Sequence, residues 1–131
     1  MSLSAEERIA MKRLHLEKAT LFLSEADELF AMNHLSTAAN RYYYACFHAI
    51  HALFVEHGIM TRTHDGLNTL FGLHFVKKGL VDSRFGSFIS KMESLRTKAD
   101  YDVVYDVSKE DLTEMQPMAR ELVELIIKML S

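Results

Sequence analysis

Turn-forming residues are so scarce in this chain that few folds remain open to it. One proline, Pro117, and five glycines serve all 131 residues. An all-β domain needs a turn about every 8–12 residues, and this sequence cannot supply them. Helices need far fewer breaks, and the breakers fall where helices would end. Ser4, followed three residues later by Glu7, has the form of a capping box. Ile9, Leu14, Leu21, Leu23, Ala26, Leu29 and Phe30 then recur near helical spacing, which predicts one long amphipathic helix reaching about Asn33. Ser36 and Thr37 can cap a second helix, and Gly58 can close it just after His57 from the left-handed region.

Residues 59–64 read as a loop. A shorter third helix is expected over residues 65–78, with Lys77 and Lys78 in its last turn and Gly79 just beyond. Asp82 or Ser83 can cap a fourth helix carrying Phe85, Phe88, Ile89, Met92 and Leu95 to about Lys98. Residues 99–106 mix β-branched and acidic side chains and read as an ordered loop. Ser108 with Asp111 opens a last helix ending near Leu130, and Pro117 inside it predicts either a kink or a break. The expected fold is all-α: an up-and-down four-helix bundle of the first, second, fourth and last helices, with the short third helix across one side. No repeat or linker divides the chain, so residues 1–131 are read as a single domain.

Composition narrows the function classes. Apolar residues at 49% and charged residues at 25% suit a folded soluble domain. No apolar run approaches the roughly 18 residues of a membrane span, and the opening MSLSAEERIA has no signal-peptide core. The lone Cys46 cannot form an internal disulfide, so the expected compartment is a reducing cytoplasm. A net charge of −3 argues against broad, charge-driven nucleic-acid binding but leaves room for a local basic site.

The second helix has two faces. At about 100° per residue from Arg41, the residues Leu53, Cys46, Ile50, Tyr43, Phe54 and Phe47 fall between roughly 120° and 240°, a broad apolar face for the core. His48 lies only about 20° from Arg41. Ala38, Ala45, Ala52, Thr37 and Val55 flank that stripe, with Tyr44 at its edge. Alanines on an outward face suggest a second element packed closely there, and a two-fold axis would make it the same helix of another chain. A homodimer is therefore expected, with two Arg41 and two His48 side chains in one cleft.

The run Asn40-Arg41-Tyr42-Tyr43-Tyr44-Ala45-Cys46-Phe47-His48-Ala49 resembles the signature of the HEPN superfamily. Thr63-His64, Leu70-Phe71-Gly72-x-His74-Phe75-Val76-Lys77 and Leu95-Arg96-x-Lys98-Ala99-Asp100-Tyr101-Asp102 extend the likeness to the small stand-alone bacterial and archaeal members, over about residues 14 to 130. The resemblance implies a dimerising helical bundle and metal-independent RNA cleavage through an Arg-x(4–6)-His motif, here Arg41 and His48. It also implies a toxin whose partner is a minimal nucleotidyltransferase antitoxin. In many active members a polar residue follows the motif Arg, where this chain has Tyr42.

The chemistry fits those residue types. Cleavage without a metal requires the 2′-OH to attack its own phosphate, so the substrate must be RNA, here single-stranded. An imidazole, with an ordinary pKa near neutrality, can take that proton or protonate the leaving 5′-oxygen. A guanidinium fork suits phosphate oxygens. Tyr44, one turn before His48, is expected to orient the imidazole or touch phosphate. Asn40, His51 and Arg96 are read as supporting or RNA-binding residues, with Lys98 beside Arg96. Tyr43, Phe47 and Phe54 are read as core, and Cys46 as an inert small hydrophobe.

Weaker alternatives stand beside these. His48, His51 and His57 could suit a metal, but no Glu-x-x-His pair of the di-iron bundle type occurs, and neither metal nor cofactor is expected. His64 and His74 can be explained as packing residues of the third helix. Arg96, Lys98, Asp100 and Asp102 fit an ion-paired helix end. For function, the intact Arg and His favour a ribonuclease. Tyr42 and the acidic balance favour a non-catalytic module that binds a nucleotidyltransferase or a nucleotide.

Overall fold

The computed structural model describes residues 3–101 and 106–131. Its elements are α1 (Ala5–Ala31), α2 (Leu35–His57), α3 (His64–Phe71), a π-helical turn (Gly72–Val76), α4 (Ser83–Tyr101) and α5 (Lys109–Met129). The fold is all-α, and no strand occurs among the described residues.

The helix boundaries follow local chemistry. Ser4 and Glu7 form the predicted capping box, each side chain bonding the other's backbone N–H, and Ser108 repeats it with Asp111. Asn33 takes a φ of 65° and turns the chain after α1. Gly58, at φ 68°, ends α2 from the left-handed region as its position predicts. Asp82 Oδ1 accepts from the Arg84 N–H at 2.9 Å and starts α4.

Several boundaries differ from expectation. The start of α2 lies at Leu35, with His34 as its N-cap and no side-chain cap, so Ser36 and Thr37 are already helical. Helix α4 runs on to Tyr101, taking in three residues expected in a loop; residues 102–105, Asp102 among them, lie outside the described residues. The predicted third helix splits into α3 and the π-helical turn before Gly79 (φ 75°) closes it. Pro117 neither breaks nor ends α5, which continues through it for three more turns.

Helix α2 lies at the centre, packed against α1, α4 and α5, while α3 and the π turn lie against α4. Tyr42, Tyr43, Ile50, Leu53 and Phe54 of α2 are buried with Leu67, Phe71, Phe75, Ile89, Met92, Leu112 and Leu122. On α1, however, only Ala19, Leu23 and Ala26 are buried. Ile9, Leu14 and Leu21, expected on the core face, are each more than half exposed. No helix among the described residues is long and apolar enough to cross a membrane.

Candidate active site on the α1–α2 flank

Ala38, Ala45 and Ala52 are completely buried in a single chain. Side chains on both sides of this stripe reach α1. Arg41 faces Glu25, His48 faces His15, Tyr42 bonds Asp27, and Lys12 Nζ lies 3.1 Å from Glu56. The second element over the alanines is therefore α1 of the same chain, not a second copy of α2. Small residues let the two helix backbones approach, as the pattern requires, but the partner is internal.

That contact puts Arg41 and His48 on one half-buried flank. The Phe22 ring bridges them: the Arg41 guanidinium carbon lies 5.2 Å from its centroid, and the His48 ring lies 5.5 Å away. Asn40 Oδ1 accepts from Arg41 Nη1 at 3.0 Å, which orients the fork, and Glu25 Oε1 lies 3.6 Å from Arg41 Nε. His48 Nδ1 meets His15 Nδ1 at 3.0 Å. The ring of His15 also stacks on His51 at 5.2 Å and 16°.

Burial lowers the His48 imidazole to about 4, with the nearby charges of His15, Lys18 and His51 acting the same way. His51 falls to about 4 for the same reason, with repulsion from protonated His15 and His64 acting the same way. His15 is lowered by burial and by Lys18. All three rings are thus neutral at pH 7, and His48 is free to accept a proton. No three His, Cys, Asp or Glu side chains among the described residues converge as metal ligands would.

Next to His48 lies an aromatic groove. Phe47, expected in the core, is only half-buried and packs against His51 at 4.4 Å and His64 at 5.0 Å. These three line a hollow of about 250 Å³ with Thr61, Arg62 and Thr63. Tyr43 is buried and shares a 2.7 Å hydrogen bond with His64 Nδ1. Tyr44 packs edge-on against Tyr43 and Phe47, so the rings that meet His48 are those of His15, Phe22 and Phe47 rather than Tyr44. Arg96 lies over the rings of Tyr43 and Tyr44 and pairs with Asp100 at 3.1 Å, which places it behind this groove. Cys46 is buried on the α5 side, where burial pushes its thiol up, as expected of an inert core residue.

Tyr42, adjacent to Arg41 in sequence, is not on this flank. Its hydroxyl donates to Asp27 Oδ1 at 2.6 Å, and the same carboxylate accepts from Gln116 and Arg120 of α5. Burial pushes the Asp27 carboxyl up, but these hydrogen bonds and the Arg120 charge outweigh it and hold the group below its usual range. One carboxylate thus ties three helices together.

Matching the HEPN domain pattern to the chain covers residues 13–130. The chain belongs to the HEPN family. It is 38% identical to "Putative toxin MJ0605" of Methanocaldococcus jannaschii over 66% of this chain and 64% of the relative. It is 30% identical to a "UPF0332 protein" of Thermotoga maritima over 82% of each. A second M. jannaschii protein, "Putative toxin MJ0142", is 28% identical over 73% of this chain and 65% of its own length. The match therefore spans less than two thirds of both M. jannaschii proteins. Within this HEPN chain, Arg41 and His48, the pair expected from the sequence, share one flank, and His15, Phe22 and Glu25 of α1 are the neighbours that the sequence reading did not include.

Proposed function

We propose that this HEPN protein is a metal-independent endoribonuclease acting on single-stranded RNA, and the toxin of a pair whose antitoxin is a minimal nucleotidyltransferase. The observation that carries the reading is the bridged pair: a guanidinium and an uncharged imidazole on one accessible flank, held by the same Phe22 ring. His48 takes the proton from the 2′-OH as that oxygen attacks phosphorus. The bond from phosphorus to the 5′-oxygen breaks, a 2′,3′-cyclic phosphate forms, and the imidazolium returns its proton to the leaving oxygen. Arg41 holds the phosphate oxygens as their charge grows. The two names that include "toxin" among the relatives support the biological role.

A homodimer completes this proposal, but on different grounds from the alanine stripe. Leu14 (54% exposed) and Leu21 (55%) each precede a residue that touches His48, His15 and Phe22 respectively. They occupy the outward side of α1 next to Glu25, the partner of Arg41. Two exposed leucines bordering the pair, with Lys18 between them and Glu25 beside them, suit a second copy that would bring the two sites together.

The test is cleavage of single-stranded RNA by purified protein in EDTA, with 2′,3′-cyclic phosphate ends as the product signature. Arg41→Ala and His48→Ala lower the rate by about 100-fold or more while the circular dichroism stays helical. Growth arrest on expression, lost in His48→Ala, tests the toxin role. Wild type and both variants equally inert on varied RNAs would favour a binding module, in which Glu25 simply neutralises Arg41.

A further inference from the structure

The short contact between two imidazoles from different helices has a chemical consequence. Nδ1 of His15 and Nδ1 of His48 stand 3.0 Å apart, a hydrogen-bond distance. Two lone pairs repel at that distance, as do two N–H groups, so one ring carries hydrogen on Nδ1 and the other does not. The contact therefore couples the tautomers of the two rings. Because Nδ1 of His48 is engaged, Nε2 is the nitrogen left for a substrate.

We propose that His15 is the positioning residue of this site: it accepts the Nδ1–H of His48, leaving Nε2 of His48 as the basic atom. The proposal rests on the ribonuclease reading of His48. When Nε2 takes the 2′-OH proton, His48 becomes an imidazolium whose Nδ1–H still donates to His15. The developing charge thus meets an oriented lone pair, the role played by the third group of a nucleophile–base–orienter array. The proton count balances, since the proton gained at Nε2 leaves from Nε2 to the 5′-oxygen while the Nδ1 proton stays in place. A further contact fixes His15, which stacks on His51, and its place on α1 is one helical turn before the fully buried Ala19. The charged and titratable groups near the pair are Lys18 on α1 and His51 on α2, with His64 on α3 acting through His51.

Nuclear magnetic resonance on protein labelled with ¹⁵N-histidine reads this directly. In the wild type a scalar coupling across the hydrogen bond links the two Nδ1 atoms, and the shifts of His48 are those of one tautomer with hydrogen on Nδ1. His15→Leu removes the acceptor: the coupling disappears, His48 shows a mixture of tautomers, and its titration midpoint falls because the imidazolium loses the lone pair that receives its Nδ1–H. His15→Asn supplies a carbonyl oxygen and restores the Nδ1–H tautomer. On RNA, His15→Leu lowers kcat by about tenfold with KM within about twofold, and His15→Asn recovers most of it.

Absence of the coupling in the wild type, or an unchanged His48 tautomer and titration in His15→Leu, overturns the proposal. The wild-type coupling and the His15→Asn data decide the matter even if His15→Leu fails to fold. Should the wild type cut no RNA while the tautomer results hold, the ribonuclease reading fails and the pairing of the two rings stands. Should it cut RNA at the same kcat in His15→Leu, the positioning role fails and the ribonuclease reading stands.

Discussion

Glu25 Oε1 lies 3.6 Å from Arg41 Nε, so the guanidinium meets a carboxylate before it can meet a phosphate. Both side chains are more than a third exposed, and such pairs contribute little to stability. Their effect on an incoming anion is more direct, because binding must displace or outbid Glu25. Glu25→Gln is expected to tighten single-stranded RNA binding by about threefold with little change in melting temperature. Fluorescence anisotropy with the His48→Ala background, run at two salt concentrations, measures it. Unchanged affinity would mean that Glu25 does not compete for Arg41.

Protonation of the buried imidazoles sets the acid limit. His48 and His51 titrate near 4 in the folded chain, against about 6.5 when unfolded. Between those values the unfolded chain binds more protons. Stability is therefore complete above about pH 6.5 and is lost as pH falls towards 4. Asp27, held below its usual range, adds to the loss at still lower pH. Melting temperature should fall on the order of 5 °C between pH 7 and 5, and His51→Gln should flatten that slope.

The same shift fixes the shape of the rate profile. A base that titrates near 4 is already deprotonated at pH 6, so kcat/KM should be level from pH 6 to 8 and drop only as pH approaches 4. A rise centred near 6.5 in the wild type would show that His48 is not the buried group described here.

Tyr42→Phe separates structure from chemistry at the residue after Arg41. It removes the 2.6 Å hydrogen bond to Asp27 but leaves Gln116 and Arg120 on that carboxylate. A loss of about 1.5 kcal/mol in urea unfolding is expected, with RNA cleavage unchanged. A cleavage defect larger than the stability loss explains would place Tyr42 in the site after all.

Two substitutions distinguish the internal seam from the subunit contact. Ala45→Leu forces extra volume between α1 and α2 and should destabilise the folded chain by about 1–3 kcal/mol. Leu14→Asp with Leu21→Asp changes only the outward side of α1. It should convert dimer to monomer in sedimentation while the melting temperature of the monomer holds. A dimer dissociated by Ala45→Leu without unfolding would reverse this assignment.

The helices and their ends were legible because capping residues and glycines act locally: Ser4, Gly58 and Ser108 each do in the fold what their sequence neighbourhood implies. The face shared by Arg41 and His48 was equally legible from the period of one helix. What lies opposite that face was not, since periodicity within α2 says nothing about which element covers it. The information was nonetheless present in the hairpin. Glu25 and Arg41 lie eight residues on either side of Asn33, and His15 and His51 lie eighteen on either side. Antiparallel helices joined by a short turn bring such equidistant positions together. Reading outward from Asn33 puts Glu25 opposite Arg41 and His15 opposite His51, one helical turn from His48. Ile9, Leu14 and Leu21 misled for a related reason: their spacing is helical, but the close seam needs only the small face of α1 at Ala19 and Ala26.

Because the alanine seam joins the two helices, the electrostatic setting of the motif is written mostly on the helix that lacks it. A relative that keeps every letter of the α2 signature but carries a leucine at His15 and a lysine at Glu25 would pass as a match and yet present a differently charged, differently oriented pair. Grafting α1 between relatives should therefore transfer acid sensitivity and anion preference along with it.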